Sequence, residues 1–198
     1  MMAGQTSLPG FDPAPEPTDR LFFAVLPDDA AGERIAQLAR GLRSAHGLQG
    51  KPVEAERLHV SLHGLGDHAG MPDRLVEHAS RAAATIALPS FTVRFDRALT
   101  FASRSRVSGR RPFVLSGGEG VAGVASLHRV LTMAMRGAGL GGGQATITPH
   151  LTLLYDGQLV AEQDAGPVEW QVREFVLLHS RIGQNQPYAV LKRWALSA

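Results

Sequence analysis

The chain has no cysteine among its 198 residues. That excludes disulfides and cysteine-ligated zinc, and it is compatible with the cytoplasm without requiring it. No run of about 18 apolar residues occurs, so no membrane-spanning helix is expected. The first 19 residues lack a basic stretch followed by an apolar one, which argues against a secretory signal and leaves a cytoplasmic protein as the expectation. Those residues hold Gly4, Pro9, Gly10, Pro13, Pro15 and Pro17 and read as a disordered leader. Lysine is nearly missing: Lys51 and Lys192 stand among 20 basic residues, so the rest are arginines. Arginine suits bidentate phosphate recognition, but Ala, Gly and Arg are abundant together, and codon usage explains the bias as readily. A net charge of +2 is too small to argue for non-specific nucleic-acid binding.

What the chain does have is one short pattern twice. Leu58-His59-Val60-Ser61-Leu62-His63 and Pro149-His150-Leu151-Thr152-Leu153-Leu154 both read His-x-(Ser/Thr)-Leu on alternating apolar and polar positions. On a strand, residues i and i+2 share a face about 6.6–6.8 Å apart. Each copy therefore sets an imidazole beside a hydroxyl, with the intervening aliphatic residues turned to a core. From Phe22 to His59 is 37 positions, and from Phe113 to His150 is 37 again. Arg20/Arg111, Phe22/Phe113, His59/His150 and Ser61/Thr152 share an offset of 91. A repeat of that length indicates a duplicated supersecondary unit, because solenoid periods are shorter.

The rest of the chain fits that duplication. Arg20–Leu26 reads as a buried strand ended by Pro27. Asp28 and Asp29 open a helix that ends near Gly47, and a motif strand at about Arg57–His63 stops at Gly64-Leu65-Gly66. Pro72 and Asp73 start a second helix closed by Pro89. Phe91, Val93 and Phe95 alternate as a strand, and an arginine-rich segment follows from Arg94 to Arg111, its middle, Ser103–Arg110, reading as a mobile loop. The second unit has a strand at Pro112–Leu115, a helix at Val121–Ala138 and a strand alternating from Thr146. Pro149 predicts an edge or bulge in that strand. Asp156–Pro167 reads as loop, and Val172–Ile182 and Tyr188–Leu196 as two closing antiparallel strands. The fold class is α+β: a leader at 1–19, then one bilobal domain at 20–198, with lobe 1 at about 20–97 and lobe 2 at about 111–198.

Two histidines facing each other suit an in-line displacement at phosphorus. Near neutrality a neutral imidazole can take a proton from the nucleophile while a charged one gives a proton to the leaving oxygen. The hydroxyls of Ser61 and Thr152 can donate to the non-bridging oxygens where charge builds up. No metal or cofactor is required.

With these flanks the paired motifs resemble the signature of the two-histidine (2H) phosphoesterase superfamily, and more narrowly its bacterial RNA 2′,3′-cyclic phosphodiesterases, also called 2′-5′ RNA ligases. The likeness runs from Leu21-Phe22-Phe23-Ala24-Val25 through both motifs and Arg111-Pro112-Phe113-Val114-Leu115 to Tyr188 and Trp194-Ala195-Leu196. The resemblance implies antiparallel sheets lining a central cleft with helices outside, and a monomer is the separate expectation for assembly. It implies opening of RNA 2′,3′-cyclic phosphate ends to 2′-phosphates, with 2′-5′ joining of RNA ends in vitro. His59 is then the proton donor, His150 the proton acceptor, and Ser61 and Thr152 the phosphate contacts. Family members often carry Arg where this chain has Tyr155. Tyr155 is a candidate base-stacking residue, His63 a further contact on the face of His59, and Arg181 a replacement cation on the strand face of His179.

Other readings of the same residues remain. His59, Ser61 and His63 have the i, i+2 spacing of a strand zinc chelate, although no carboxylate lies beside them. The arginines of Arg94–Arg111 form either a solvated loop or an RNA clamp. His46, His68, His78, His128 and His179 read as surface or packing residues. The same chemistry could serve a small cyclic nucleotide, or the fold could bind RNA ends without turnover.

Overall fold

A computed structural model of the chain describes residues 15–102, 109–141 and 146–198. Among them run β1 (Asp19–Val25), α1 (Asp29–Ala45), β2 (Val60–His68), α2 (Asp73–Ala83), β3 (Phe91–Thr100), β4 (Arg111–Ser116), α3 (Ala122–Gly137), β5 (His150–Asp156), β6 (Gln163–Val172), β7 (Glu174–Arg181) and β8 (Ala189–Ala195). Most of the expected leader, Arg104, Arg106, most of the expected mobile loop and Ala145 lie outside the described residues.

Local chemistry explains the element ends. Leu21 to Val25 are all buried in β1. Pro27 cannot continue the ladder, and Asp28 caps α1, its Oδ1 accepting from the Ala31 amide at 2.7 Å. α1 then buries Ala31, Ile35 and Ala39 on one stripe, as the helical period requires.

The strands form one antiparallel sheet in the order β6-β3-β4-β5-β2-β1-β7-β8. It divides into two like halves, β2-β1-β7-β8 and β5-β4-β3-β6. Their seam is narrow: β2 and β5 pair at Val60↔Leu151 and at no other residue among those described. The helices close the seam. α1, which follows β1, packs on β5 and β6 of the other half, while α3, which follows β4, packs on β2 and β3. All three helices feed one apolar cluster with Phe23, Val60, Leu62, Leu151 and Leu153, so they cover one face of the sheet. The open face carries a smaller cluster of Phe22, Ala24, Val176 and Leu178, with Leu26 and Tyr188 against it.

The α+β class with an antiparallel sheet and outer helices agrees with expectation. Several details differ. The halves of the sheet do not follow the division at 97 and 111, because β3 pairs with β4 and β6 while β7 and β8 return to β1. β2 does not stop at Gly64-Leu65-Gly66. β1 pairs it as far as Asp19↔His68, with Leu65 looped out and Gly66 at φ 103°, a backbone open to glycine alone at low cost. The stretch expected as loop, Asp156–Pro167, holds the first half of β6, an outer strand. Its Gly166-Pro167 lies where the pairing skips from Phe95↔Val168 to Arg97↔Asp164, and an outer strand tolerates proline's missing donor. The alternation from Thr146 becomes strand only at His150, directly after Pro149.

The repeat is also offset differently in its first strand. Val25 pairs with Val60 and Phe23 with His63. Leu115 pairs with Leu151 and Phe113 with Leu154. The motif strands match at an offset of 91, but β1 and β4 match at 90. Phe113 therefore corresponds to Phe23, both fully buried, whereas Phe22 points to the open face.

Candidate active site

The site is built on the seam. Val60 and Leu151 are both fully buried on the helix side, so their neighbours along each strand point to the open face. In an antiparallel pair the residues flanking a matched couple oppose each other. The pairing thus sets His59 across from Thr152 and Ser61 across from His150, four side chains around one spot. The two imidazoles are close enough for His150 to bias the protonation of His59.

Each ring is held the same way. His59 Nδ1 donates to the Arg57 carbonyl at 2.8 Å, and His150 Nδ1 donates to the Thr148 carbonyl at 2.7 Å. A carbonyl only accepts, so Nδ1 keeps its proton and Nε2 is the nitrogen that exchanges one. Ring contacts fix the planes. His59 lies against Phe22 (5.1 Å) and edge-on to Tyr188 (5.2 Å), and His150 lies edge-on to Phe101 (4.9 Å). Burial, aided by the charges of His150 and Arg57 and opposed by the carbonyl bond, lowers the His59 pKa from 6.5 to about 4. Burial also lowers that of His150, against its bond to Thr148. Among the described residues no carboxylate acts on either ring, so a charged imidazole here has no counter-ion among them and is favoured by an anion brought from outside.

Both motif strands carry a β-bulge at the motif leucine. Ala24↔Ser61 is followed by Phe23↔His63, leaving Leu62 as the extra residue. Val114↔Thr152 is followed by Phe113↔Leu154, leaving Leu153 extra. A bulge inverts the faces beyond it, and this moves two of the expected residues. Tyr155 comes onto the open face with His150 and Thr152. It is 39% exposed, and its pKa is raised, by burial first and the nearby Tyr188 second, with Thr152 acting against the shift. His63 goes the other way. The expectation that it shares the face of His59 fails: it is 3% exposed, and its Nδ1 lies 3.1 Å from Thr132 Oγ1 on α3. The strand zinc chelate loses its third member with it. Among the described residues no group of three metal-ligating side chains lies together.

The bulges leave backbone carbonyls off the ladder, and each finds another donor. The Leu62 carbonyl accepts from His128 Nδ1 on α3 at 2.7 Å. The Leu153 carbonyl accepts from the Val53 amide at 2.7 Å. His128 is thus a structural clasp beneath the first motif.

Arg181 is also corrected. It shares a face with His179, as the alternation predicts, but that is the helix-side face. There His179 Nε2 pairs with Asp19 Oδ1 at 2.5 Å, and Arg181 stands opposite Asp19. The cations near the site are Arg20, which the offset of 91 had marked, and Arg57, which motif spacing did not single out. Arg20, on the open face of β1, is held bidentately by Asp67 at 2.6 and 2.7 Å. Arg57 donates to the Tyr188 hydroxyl at 3.1 Å and to Asn185, with its guanidinium 4.8 Å from the Tyr188 ring centre. The sequence signal of Arg20 is its place in the repeat, and that of Arg57 is only that it lies two residues before His59. Arg94 and Arg97 stand instead on the far β3–β6 edge, Arg97 bonding Glu162 at 2.7 Å. Among the described residues no helix is long and apolar enough to cross a membrane.

Comparisons with known proteins agree with this geometry. A solved phosphoesterase is 29% identical over 92% of this chain and all of its own, with a TM-score of 0.70. E. coli LigT in its apo form is 29% identical over 92% of this chain and 99% of its own, with a TM-score of 0.68. LigT has also been solved with 3′-AMP, at a TM-score of 0.66, 29% identity, and coverage of 92% of this chain and all of LigT. No curated protein matches at the sequence level. The family model described as the 2′-5′ RNA ligase superfamily matches residues 26–183, a span that includes both motif strands and the seam between them. The chain belongs to the 2′-5′ RNA ligase superfamily of two-histidine phosphoesterases.

Proposed function

We propose that this protein is a metal-independent phosphodiesterase that opens RNA 2′,3′-cyclic phosphate ends to 2′-phosphates. The observation that carries this reading is the Val60↔Leu151 pairing, which groups two imidazole–hydroxyl couples whose Nε2 atoms alone are free to exchange protons. Water attacks phosphorus as His150 Nε2 takes its proton. The bond from phosphorus to O3′ breaks as His59 Nε2–H gives that oxygen a proton. Ser61 and Thr152 donate to the non-bridging oxygens. The product is a 2′-phosphate with a free 3′-hydroxyl, and solvent resets the two rings. The phosphate's own charge raises the depressed imidazole pKa values, so the donor becomes protonated when substrate is bound. The assignment of donor to His59 and acceptor to His150 follows the family likeness.

The test is an oligonucleotide ending in a 2′,3′-cyclic phosphate, incubated with the protein in EDTA and its products separated. A 2′-phosphate is expected, with His59→Ala and His150→Ala each losing about 10²–10⁴ in kcat. Undiminished turnover in either variant would overturn the reading. A second reading, the same chemistry on a small nucleotide, draws support from the LigT complex with 3′-AMP. Equal turnover of cyclic mononucleotides and oligonucleotides would favour it. Joining of RNA ends by 2′-5′ linkages in vitro is assayed with the same oligonucleotide.

A further inference from the structure

Two guanidinium groups on the open face act on Tyr155, and they differ in one respect. Arg20 is neutralised by both carboxylate oxygens of Asp67. Among the described residues Arg57 has only neutral partners: the Asn185 side-chain oxygen, the Tyr188 hydroxyl and the Tyr188 ring. It makes no ion pair with any described residue. A guanidinium has five N–H donors. Two are engaged here, and those two fix the plane of the group while the others remain available.

The clasp is made of parts from distant places. Asn185 and Tyr188 come from the segment between β7 and β8, more than 120 residues after Arg57. Tyr188 in turn packs edge-on against Phe22 and His59. The side chain therefore arrives pre-ordered, and the entropy of fixing a long flexible group does not have to be lost when an anion binds. Its charge is felt by both His59 and Tyr155. Its own carbonyl takes the His59 Nδ1–H, and its guanidinium lies over the Tyr188 ring that packs edge-on to His59. That places it beside the quartet at Val60 and Leu151 and not within it.

We propose that Arg57 forms a second anion subsite, which takes the backbone phosphate adjoining the reacting one. This rests on the phosphodiesterase reading and narrows its substrate class. Cyclic-phosphate ends that carry a 5′-phosphate linkage on the terminal nucleotide are preferred to cyclic mononucleotides lacking one. The reacting phosphate is held by the histidines and hydroxyls, and the neighbouring phosphate is gripped by the unused guanidinium donors.

Binding separates this from the catalytic reading. Adenosine 3′-monophosphate and adenosine 3′,5′-bisphosphate would be titrated into the full chain by calorimetry at low salt, for wild type, Arg57→Gln and Arg57→Lys. The expected result is a bisphosphate advantage of about tenfold in the wild type, the scale of one charged hydrogen-bonded contact. In Arg57→Gln that advantage falls below about twofold while the monophosphate changes less than about threefold. Arg57→Lys keeps part of the advantage, because charge remains without the fork. Thermal melting checks that the variants stay folded, and Arg57→Lys carries the test if Arg57→Gln does not. An advantage that survives in Arg57→Gln, or a wild type with none, overturns the subsite. So does an equal loss for both ligands, since Arg57 would then hold the reacting phosphate. If no cyclic phosphate is ever hydrolysed, the phosphodiesterase reading falls while the binding result still judges the subsite.

Discussion

Val60 and Leu151 are the pair through which the two halves of the sheet meet, and the same pair turns His59, Ser61, His150 and Thr152 to a common side. Backbone continuity and site assembly thus depend on one contact. Leu151 is fully buried in the main cluster. Leu151→Ala is expected to cost about 2–5 kcal/mol in urea denaturation. Its residual turnover should fall further than that of an equally destabilising change at Phe95, remote from the seam.

The depressed imidazole pKa values set a pH dependence for ligand binding. An anion favours the charged ring, so its binding raises the ring's pKa and takes up a proton. Inorganic phosphate should therefore bind more tightly as pH falls from 7 towards 5. Calorimetry in buffers of different ionisation heat would show proton uptake. NMR should find His59 titrating near the low value given by its burial, about 4, in the free protein and higher with phosphate bound.

The same shift bears on stability. The folded-state pKa of His59 lies below its ordinary value of 6.5, so the unfolded chain binds more protons between those limits. Stability rises with pH through that window and is lost as pH falls from about 6.5 towards about 4. His59→Gln removes the titrating group, and its urea midpoint should vary less with pH there than that of the wild type.

His128 satisfies a carbonyl that the Leu62 bulge removes from the ladder. His128→Leu leaves that buried acceptor without a donor, at a cost of about 1–3 kcal/mol. Because the bulge directs Ser61 and turns His63 inward, the variant should also lower kcat more than it raises KM. A stability loss with unchanged turnover would show that the clasp does not position the motif.

Gly50 passes so close to β5 that an added Cβ would lie 2.2 Å from the Tyr155 carbonyl oxygen and 3.0 Å from the Leu154 side chain. The amides of Gln49 and Gly50 both donate to Asp156 Oδ2 at 2.7 Å. Gly50→Ala should force this strap off the strand, costing about 1–3 kcal/mol in a thermal melt. It should also weaken nucleotide binding through displacement of Tyr155.

The two motifs were legible from the chain alone because a strand fixes i and i+2 on one side whatever it packs against. The buried run of β1, the Asp28 cap and the stripes of α1 and α3 were legible for the same reason, since each is set by residues within a turn or two. Face assignments failed where a bulge intervened. The extra Leu62 sends His63 to α3, and the extra Leu153 brings Tyr155 to the site. Nothing local marks a bulge, because it arises from how β1 and β4 register against the motif strands.

The sequence by itself determined that two imidazole–hydroxyl couples exist and that each occupies one side of its own strand. Only the tertiary structure decided that they meet, because a single pairing at residues 60 and 151 can form only once helices from each half pack across the seam. It also decided which of Arg20 and Arg57 has no counter-charge among the described residues. Arg20 and Arg57 look alike in the chain, and the difference lies in whether a strand carrying Asp67 or a turn carrying Asn185 and Tyr188 folds against them.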